Sequence, residues 1–139
     1  MGAKGLIDTS AMIALLDRDD RWHSRCVEAF TAMRLPLATS AAVLAEFFHL
    51  LGDNPRDIDV AWTFLRSGAV TVLPIVDTDM VALNSLMKQY SDRPMDFADA
   101  TLVHLARRES LVTILTLDHN DFETYRIHGR QHFRIKPSR

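Results

Sequence analysis

Short apolar runs alternate along this chain with longer segments in which apolar residues recur at helical spacing. The short runs predict β-strands at 4–7, 35–39, 70–73, 112–117 and 133–135. The longer segments predict helices at 11–16, 22–33, 41–51, 58–65, 81–87 and 97–108. Strands that alternate with helices pair in parallel through right-handed crossovers. The pattern therefore predicts an α/β fold, a three-layer α/β/α sandwich with a short, mainly parallel central sheet.

Residue types at the predicted helix ends support these boundaries. Thr9 or Ser10 is suited to cap the first helix, with Ser10 better placed, and Ser40 is suited to cap the helix at 41–51. Asp77 or Thr78 can cap the helix at 81–87. The segment Gly-Asp-Asn-Pro at 52–55 is a strong helix breaker and predicts a turn between two helices.

Length and composition limit the classes of protein that fit. The 139 residues are enough for one core, so we expect one domain over 1–139. The chain has 47% hydrophobic and 24% charged residues, as globular proteins do, and its single cysteine, Cys26, excludes an internal disulfide. The first residues lead into a strand without a signal-like apolar stretch, and no run is long enough to span a membrane. We therefore expect a cytoplasmic protein.

Positive charge is concentrated near the end of the chain. The net charge is -2, yet the last fifteen residues contain no acid and five basic residues, Arg126, Arg130, Arg134, Lys136 and Arg139. Such a segment suits contact with nucleic-acid phosphates, and a solvated basic terminus explains it equally well.

Acidic residues follow two of the predicted strands and interrupt two of the predicted helices. Asp8 and Asp118 end apolar strands, and ligands of an open α/β sheet bind beyond the carboxyl ends of its strands. Glu46 and Asp99 lie within otherwise apolar helices, where an unpaired charge is costly. Four carboxylates in one cleft repel each other unless a cation lies between them, and hard divalent metals prefer oxygen ligands. The pattern favours metal-assisted phosphodiester chemistry.

Several of these acids have a structural explanation as well. Asp8 can act as a cap for the first helix, although Ser10 is better placed for it. Asp96 and Asp99 form a capping pattern ahead of an apolar helix, so we assign Asp96 mainly to capping and leave Asp99 open on spacing alone. Of Asp118 and Asp121, one can be a metal ligand and the other a helix cap, and Asp118 is the better ligand.

Four segments of the chain together resemble PIN-domain ribonucleases, and most closely the VapC-type toxins of toxin-antitoxin pairs. They occur in the family's order and spacing over nearly the whole length: Leu-Ile-Asp-Thr-Ser-Ala at 6–11, Leu-Ala-Glu-Phe at 44–47, Asp-Phe-Ala-Asp-Ala-Thr-Leu at 96–102 and Leu-Thr-Leu-Asp-His-Asn-Asp-Phe at 115–122. Each segment alone is a loose motif, whereas the four in order are fairly specific.

The resemblance implies a PIN-like fold and a metal-dependent ribonuclease, with Mg²⁺ or Mn²⁺ held by a quartet of acids. The quartet falls on Asp8, Glu46, Asp99 and Asp118. Auxiliary positions fall on Asp96, Asp121, Thr9, Ser10 and Thr116. We also expect an RNA substrate, a protein antitoxin and a homodimer, with apolar residues around Phe47-Phe48 and Trp62-Phe64 as a surface for either partner. Weaker candidates for RNA contact are Arg93, Arg126 and Arg130.

Other classes of enzyme fit this sequence less well. It has no glycine-rich phosphate-binding loop, and Ser10 stands where a haloacid-dehalogenase-like phosphatase would need its second aspartate. The six histidines show no metal-ligand spacing. One alternative stays open, a non-catalytic PIN-like module that binds RNA or protein while its acids hold a structural cation.

Overall fold

The computed structural model describes residues 2–93 and 95–139; Met1 and Pro94, which belong to the predicted domain 1–139, lie outside the described residues. Five short strands form one sheet in the order β3-β2-β1-β4-β5, and every pairing is parallel. The strands are β1 (Gly5–Ile7), β2 (Leu37–Thr39), β3 (Val70–Val72), β4 (Thr113–Leu115) and β5 (Arg134–Lys136).

Helices connect successive strands, as parallel pairing requires. They are α1 (Thr9–Leu16), α2 (His23–Ala32), α3 (Ala41–Leu51), α4 (Pro55–Leu65), α5 (Met80–Gln89), α6 (Phe97–Glu109) and α7 (His119–Thr124). A 3₁₀ turn, Asp77–Asp79, leads into α5. In the described part of the chain, none of these helices is both long enough and apolar enough to cross a membrane.

The strand order places β1 at the centre of the sheet, paired with β2 on one side and β4 on the other. The chain moves outward from β1 through β2 to β3, and then returns to add β4 and β5 on the opposite side. Right-handed crossovers in both directions cover both faces of the sheet with helices, which confirms the predicted α/β sandwich. Such a reversal opens a crevice beyond the carboxyl ends of β1 and β4, where ligands of these folds bind.

Burial explains why the central strands are uniformly apolar. Leu6 and Ile7 of β1, and Ile114 and Leu115 of β4, have no solvent-exposed surface, as expected for strands covered on both faces. The helix α6 is buried over nine successive residues, 98–106, because it contacts both α3 and α5. Asp99 belongs to this buried stretch, so its carboxylate is largely removed from solvent.

The main differences from the predicted elements lie at their ends. The predicted strands 35–39 and 112–117 shorten to three residues each, so Asp118 lies three residues beyond β4. The helix expected at 58 begins at Pro55, because the Asn54 side chain accepts hydrogen bonds from the backbone of the first turn. The predicted capping of α5 by Asp77 or Thr78 is wrong, since both belong to the 3₁₀ turn.

Candidate active site

Asp8 begins the site at the carboxyl end of β1. It is the N-cap of α1, and its Oδ1 accepts a hydrogen bond from the backbone N–H of Thr9 over 2.8 Å. The prediction that Ser10 caps α1 is wrong, because the helix starts at Thr9, two residues before the predicted start, and Ser10 lies inside its first turn. Oδ2 of Asp8 accepts a hydrogen bond of 2.9 Å from the Thr116 hydroxyl. Asp8 therefore caps a helix and also faces the crevice, with 5% of its surface exposed.

Hydroxyl groups join the loop after β4 to the start of α1. Ser10 Oγ lies 3.3 Å from Thr116 Oγ1 and accepts a hydrogen bond from the backbone N–H of Leu117. Thr116 Oγ1 also accepts one from the backbone N–H of Asp118. The Thr9 hydroxyl donates instead to the carbonyl of Val43, at the start of α3. These bonds fix the positions of Asp8 and Asp118 relative to each other.

Asp99 enters the site from the first turn of α6. Asp96 is the N-cap of that helix and accepts a 2.7 Å hydrogen bond from the backbone N–H of Asp99, which confirms its predicted capping role. The buried Tyr125 donates its phenol O–H to Oδ2 of Asp99 over 2.9 Å. One carboxylate oxygen of Asp99 is thereby held by Tyr125.

Asp118 and Asp121 complete the acidic group from the start of α7. Asp118 is the N-cap of α7, and its Oδ1 accepts a hydrogen bond from the backbone N–H of Asp121. One carboxylate oxygen from each of Asp99, Asp118 and Asp121 can be chosen so that all three lie within 4.8 Å of one another. Asp121, predicted only as an auxiliary acid, therefore stands inside the most compact carboxylate cluster of the described residues.

Glu46 occupies a more peripheral position than the aspartates. It lies half-buried in the middle of α3, and it is not a member of the three-aspartate cluster. Its charge nevertheless acts on Asp8, where it raises the pKa of that carboxyl. Glu46 thus faces the crevice from the α3 side, near Asp8.

Burial and mutual repulsion make the aspartates weak acids. Burial first, opposed by the bonds from Thr9 and Thr116, raises the pKa of Asp8 to about 7. Burial and then the charges of Asp8 and Asp96 raise the pKa of Asp99 to about 8. The pKa of Asp118 is also raised, mainly by burial. The raised pKa values mean that the surrounding protein does not fully stabilise the ionised form of these carboxylates. A bound cation would stabilise that form.

The donor set of the crevice suits a hard divalent metal. All the converging side-chain groups at the cluster are carboxylates, and oxygen-only sites select Mg²⁺ or Mn²⁺ over metals that prefer nitrogen or sulfur ligands. The compact cluster of Asp99, Asp118 and Asp121 supplies three such oxygens, and Asp8 lies beside it. The residues present therefore fit the expected metal.

The three arginines predicted to contact RNA differ in their surroundings. Arg93 forms an ion pair of 3.1 Å with Asp121 and donates a hydrogen bond to the Thr124 hydroxyl, so it lies at the rim of the cluster. The guanidinium of Arg126 donates to three backbone carbonyls, those of Glu123, Thr124 and Tyr125, and so closes the end of α7. Arg130 is exposed in the loop before β5.

Tyr125 contacts the acidic group although the sequence pattern did not predict it. It lies 26 residues from its partner Asp99 and belongs to an irregular segment after α7, so neither periodicity nor spacing relates the two. Its position within an aromatic group with Tyr90 and Phe122 explains its burial. An isolated tyrosine after a short helix gives no signal of its own.

Comparison with known families identifies the class of protein that this fold and site define. The family model described as PIN domain matches residues 5–127, which covers most of the chain and all of the acids named above. The chain belongs to the PIN domain family.

Individual relatives agree with this assignment. The chain is 30% identical over 135 residues to ribonuclease VapC26 of Mycobacterium tuberculosis, a match that spans 95% of this chain and 99% of the relative. The crystal structure of Mycobacterium tuberculosis VapC20, a sarcin-ricin loop cleaving toxin, superposes with a TM-score of 0.72 at 22% identity, covering 83% of this chain and 90% of that one. The crystal structure of FitAcB from Neisseria gonorrhoeae superposes with a TM-score of 0.62 at 22% identity, covering 84% of this chain and 89% of that one.

Proposed function

We propose that this chain is a divalent-metal-dependent ribonuclease that hydrolyses RNA phosphodiester bonds. The observation that carries the proposal is the group of four carboxylates at the reversal point of the sheet, of which Asp8 and Asp99 are buried and Asp118 and Asp121 are half-buried. Family membership and the whole-length match to a ribonuclease support the reaction class. Hard metals and phosphates are natural partners for such a group.

In this proposal Asp99, Asp118 and Asp121 would hold Mg²⁺ or Mn²⁺, directly or through its bound waters, with Asp8 and Glu46 as further acids at the same crevice. When bound, the metal supplies Lewis-acid activation of the attacking water and stabilises charge on the phosphate oxygens. Mg²⁺ retains several waters and takes only one or two carboxylates directly, so the other acids orient those waters.

The chain's own residues fix the acids before substrate binds. Thr9 N–H and the Thr116 hydroxyl hold both oxygens of Asp8, and the Tyr125 phenol holds one oxygen of Asp99. Ser10 and Thr116 tie the loop that carries Asp118 to α1. Carboxylates placed in this way need little rearrangement on metal binding, which is the benefit of outer hydrogen-bonding partners at metal sites.

We further propose that the protein is the toxin of a type II toxin-antitoxin pair. The relatives include a ribonuclease named VapC26 and the VapC20 toxin, and a toxic nuclease needs a protein that blocks its site. Substrate choice differs among nucleases of one fold, so the RNA that this chain cleaves is a separate question.

A homodimer is the other proposed assembly, and the outer surface of α3 and α4 supports it. Phe47 is buried in the core, and the half-buried Phe64 packs on Phe30, so neither forms the centre of an exposed patch. Trp62 is 50% exposed beside Phe48, and Leu50 is 62% exposed. Analytical sedimentation of wild type and Trp62→Ser tests the dimer. Val81→Ser, which replaces an exposed apolar residue on α5, is the control. If all three proteins sediment as monomers, the homodimer proposal is wrong.

The nuclease is tested with purified protein, RNA and either Mg²⁺, Mn²⁺ or EDTA. We expect cleavage only with metal, and a loss of more than about 100-fold in Asp99→Asn or Asp8→Ala, because even outer-shell partners of metal sites contribute 10–100-fold. Asp53→Asn, which removes an exposed carboxylate between α3 and α4, is the charge-matched control. Equal rates for Asp99→Asn and Asp53→Asn would contradict the mechanism and favour the non-catalytic binding module.

A further inference from the structure

A long groove with a strongly basic lining runs between α2 and β5. Its volume is about 720 Å³, and among the described residues its lining contains one acid, Glu28. Five basic side chains line it: Lys4, Arg25, Arg34, Arg134 and Lys136. This set is called the basic groove below. The chain as a whole has more acidic than basic residues, 18 against 16, so five basic side chains and one acid in one groove form a local excess of positive charge.

The basic groove leads away from the carboxylates. A second, smaller groove of about 420 Å³ contains Asp118 and Trp22, and it shares Arg25 with the basic groove. Lys4 precedes β1 and Thr113 begins β4, whereas Asp8 and Asp118 follow the ends of the same strands. An extended chain advances about 3.3 Å per residue, so the groove reaches roughly 15 Å from the acids. The two grooves are neighbours that meet at Arg25.

The cations of the basic groove are available for a ligand. Within residues 2–93 and 95–139, none of the five forms an ion pair with a carboxylate, whereas Arg93, Arg108 and Arg139 all do. Arg25 donates a hydrogen bond to the Ser138 carbonyl and lies 5.1 Å from the Trp22 ring, which holds it where the two grooves meet. Unpaired arginines suit bidentate contact with phosphate oxygens.

We propose that the basic groove binds the sugar-phosphate backbone of the RNA strand, several nucleotides away from the bond that is cut. The inference rests on the proposed nuclease function, since it assumes that the strand passes Asp118. Five cations that line one groove suit the repeated negative charge of a nucleic-acid backbone. The basic groove shares Arg25 with the smaller groove that contains Asp118, which favours an RNA strand that passes the acids over an acidic peptide, which would have no need to reach Asp118.

The test removes two charges from the far end of the groove in Arg34→Gln/Arg134→Gln. The control, Arg66→Gln/Lys88→Gln, removes two exposed charges on α4 and α5, so the net charge of both proteins is equal. Binding of labelled single-stranded RNA is measured in EDTA at several salt concentrations, and cleavage kinetics are measured with metal. We expect the groove variant to bind roughly tenfold more weakly, with a salt slope smaller by about 1.4 because each phosphate contact contributes about 0.7.

In the kinetic assay, the groove variant should raise KM by a similar factor and leave kcat unchanged, because Arg34 and Arg134 lie far from the acids. Glu28→Lys, which adds a positive charge to the lining, should tighten RNA binding and serves as a second variant if the first unfolds. Equal effects of the groove and control variants would overturn the inference. So would a groove variant that keeps RNA binding and loses binding of an acidic peptide.

The two proposals fail in different ways. If wild type cleaves no RNA, the nuclease proposal is wrong, and the binding data in EDTA still decide whether the groove holds RNA. If wild type cleaves RNA and the groove variant matches the control in binding, KM and salt slope, the nuclease stands and the groove inference is wrong.

Discussion

Three aspartates of the crevice have a structural role in addition to any catalytic one. Asp8 and Asp118 are helix N-caps, and Asp99 accepts the hydrogen bond of a buried tyrosine. A capping carboxylate accepts hydrogen bonds from backbone N–H groups of the first helical turn, and these bonds fix the orientation of its side chain. The same bonds that form α1 and α7 therefore aim two carboxylates into the crevice.

The Tyr125 phenol is expected to lower the pKa of Asp99 without contacting the substrate. Its hydrogen bond lowers the pKa of Asp99 against the effects of burial and neighbouring charges. In Tyr125→Phe that pKa rises further, so metal binding and cleavage should shift to higher pH and fall at neutral pH, by about 10-fold for a change of one pKa unit. Tyr90→Phe is the control, because the Tyr90 hydroxyl accepts from the backbone of Arg126 and not from the acids.

The measurement is the pH profile of metal-dependent RNA cleavage for the two variants and wild type. A shift in Tyr125→Phe alone supports a positioning role for Tyr125. Identical profiles, with only a loss of stability in both variants, would show that Tyr125 is a packing residue.

At the scale of single elements, the central strand has almost no tolerance for added volume. A Cβ added to Gly5 of β1 would stand 3.0 Å from the Thr113 carbonyl oxygen and 3.3 Å from Leu37 and Met33 side chains. The carbonyl belongs to the backbone of neighbouring β4 and cannot turn away. The close packing of β1 between β2 and β4, which places Asp8 beside Thr116, thus depends on a residue without a side chain.

Gly5→Ala should therefore destabilise the fold by about 1–3 kcal/mol, the usual cost of overpacking a core. Gly2→Ala is the control, since a Cβ at Gly2 would meet no atom within 4 Å. Urea unfolding of both variants measures the difference. Equal free energies of unfolding would mean that β1 and β4 separate easily, contrary to the packing described.

Strand-end reasoning explains which parts of the site could be predicted. Asp8 and Asp118 follow apolar runs, and the reversal of strand order brings β1 beside β4, which also confirms the fold predicted from the alternating pattern. Asp121 was ranked below Asp118 and Tyr125 was not predicted, because the position of both depends on the short helix α7, whose packing the sequence pattern does not indicate. Strand lengths were overestimated, since apolar residues such as Leu117 continue beyond the hydrogen-bonded ladder.

For the molecule as a whole, the buried carboxylates predict an unusual dependence of stability on pH when metal is removed. The pKa of Asp8 rises from 3.8 to about 7 and that of Asp99 from 3.8 to about 8, mainly through burial. Between about pH 4 and 8 the folded state keeps protons that the unfolded state has released, so stability decreases as pH rises. Above about pH 5 Asp79 adds no slope, because it is ionised in both states: its pKa is 3.8 in the unfolded chain and is lowered to about 2 in the folded protein, first by the Val76 N–H.

In EDTA, the free energy of unfolding should fall between pH 5 and 8 by up to about 1.4 kcal/mol per pH unit for each of the two groups. Added Mg²⁺ or Mn²⁺ binds the ionised carboxylates and should restore stability most strongly near pH 8. Urea unfolding at each pH measures this, and Asp99→Asn should show a shallower fall than Asp53→Asn. A free energy that rises over this range in EDTA would mean that the crevice stabilises its ionised acids without metal, which would remove the electrostatic reason for a cation there.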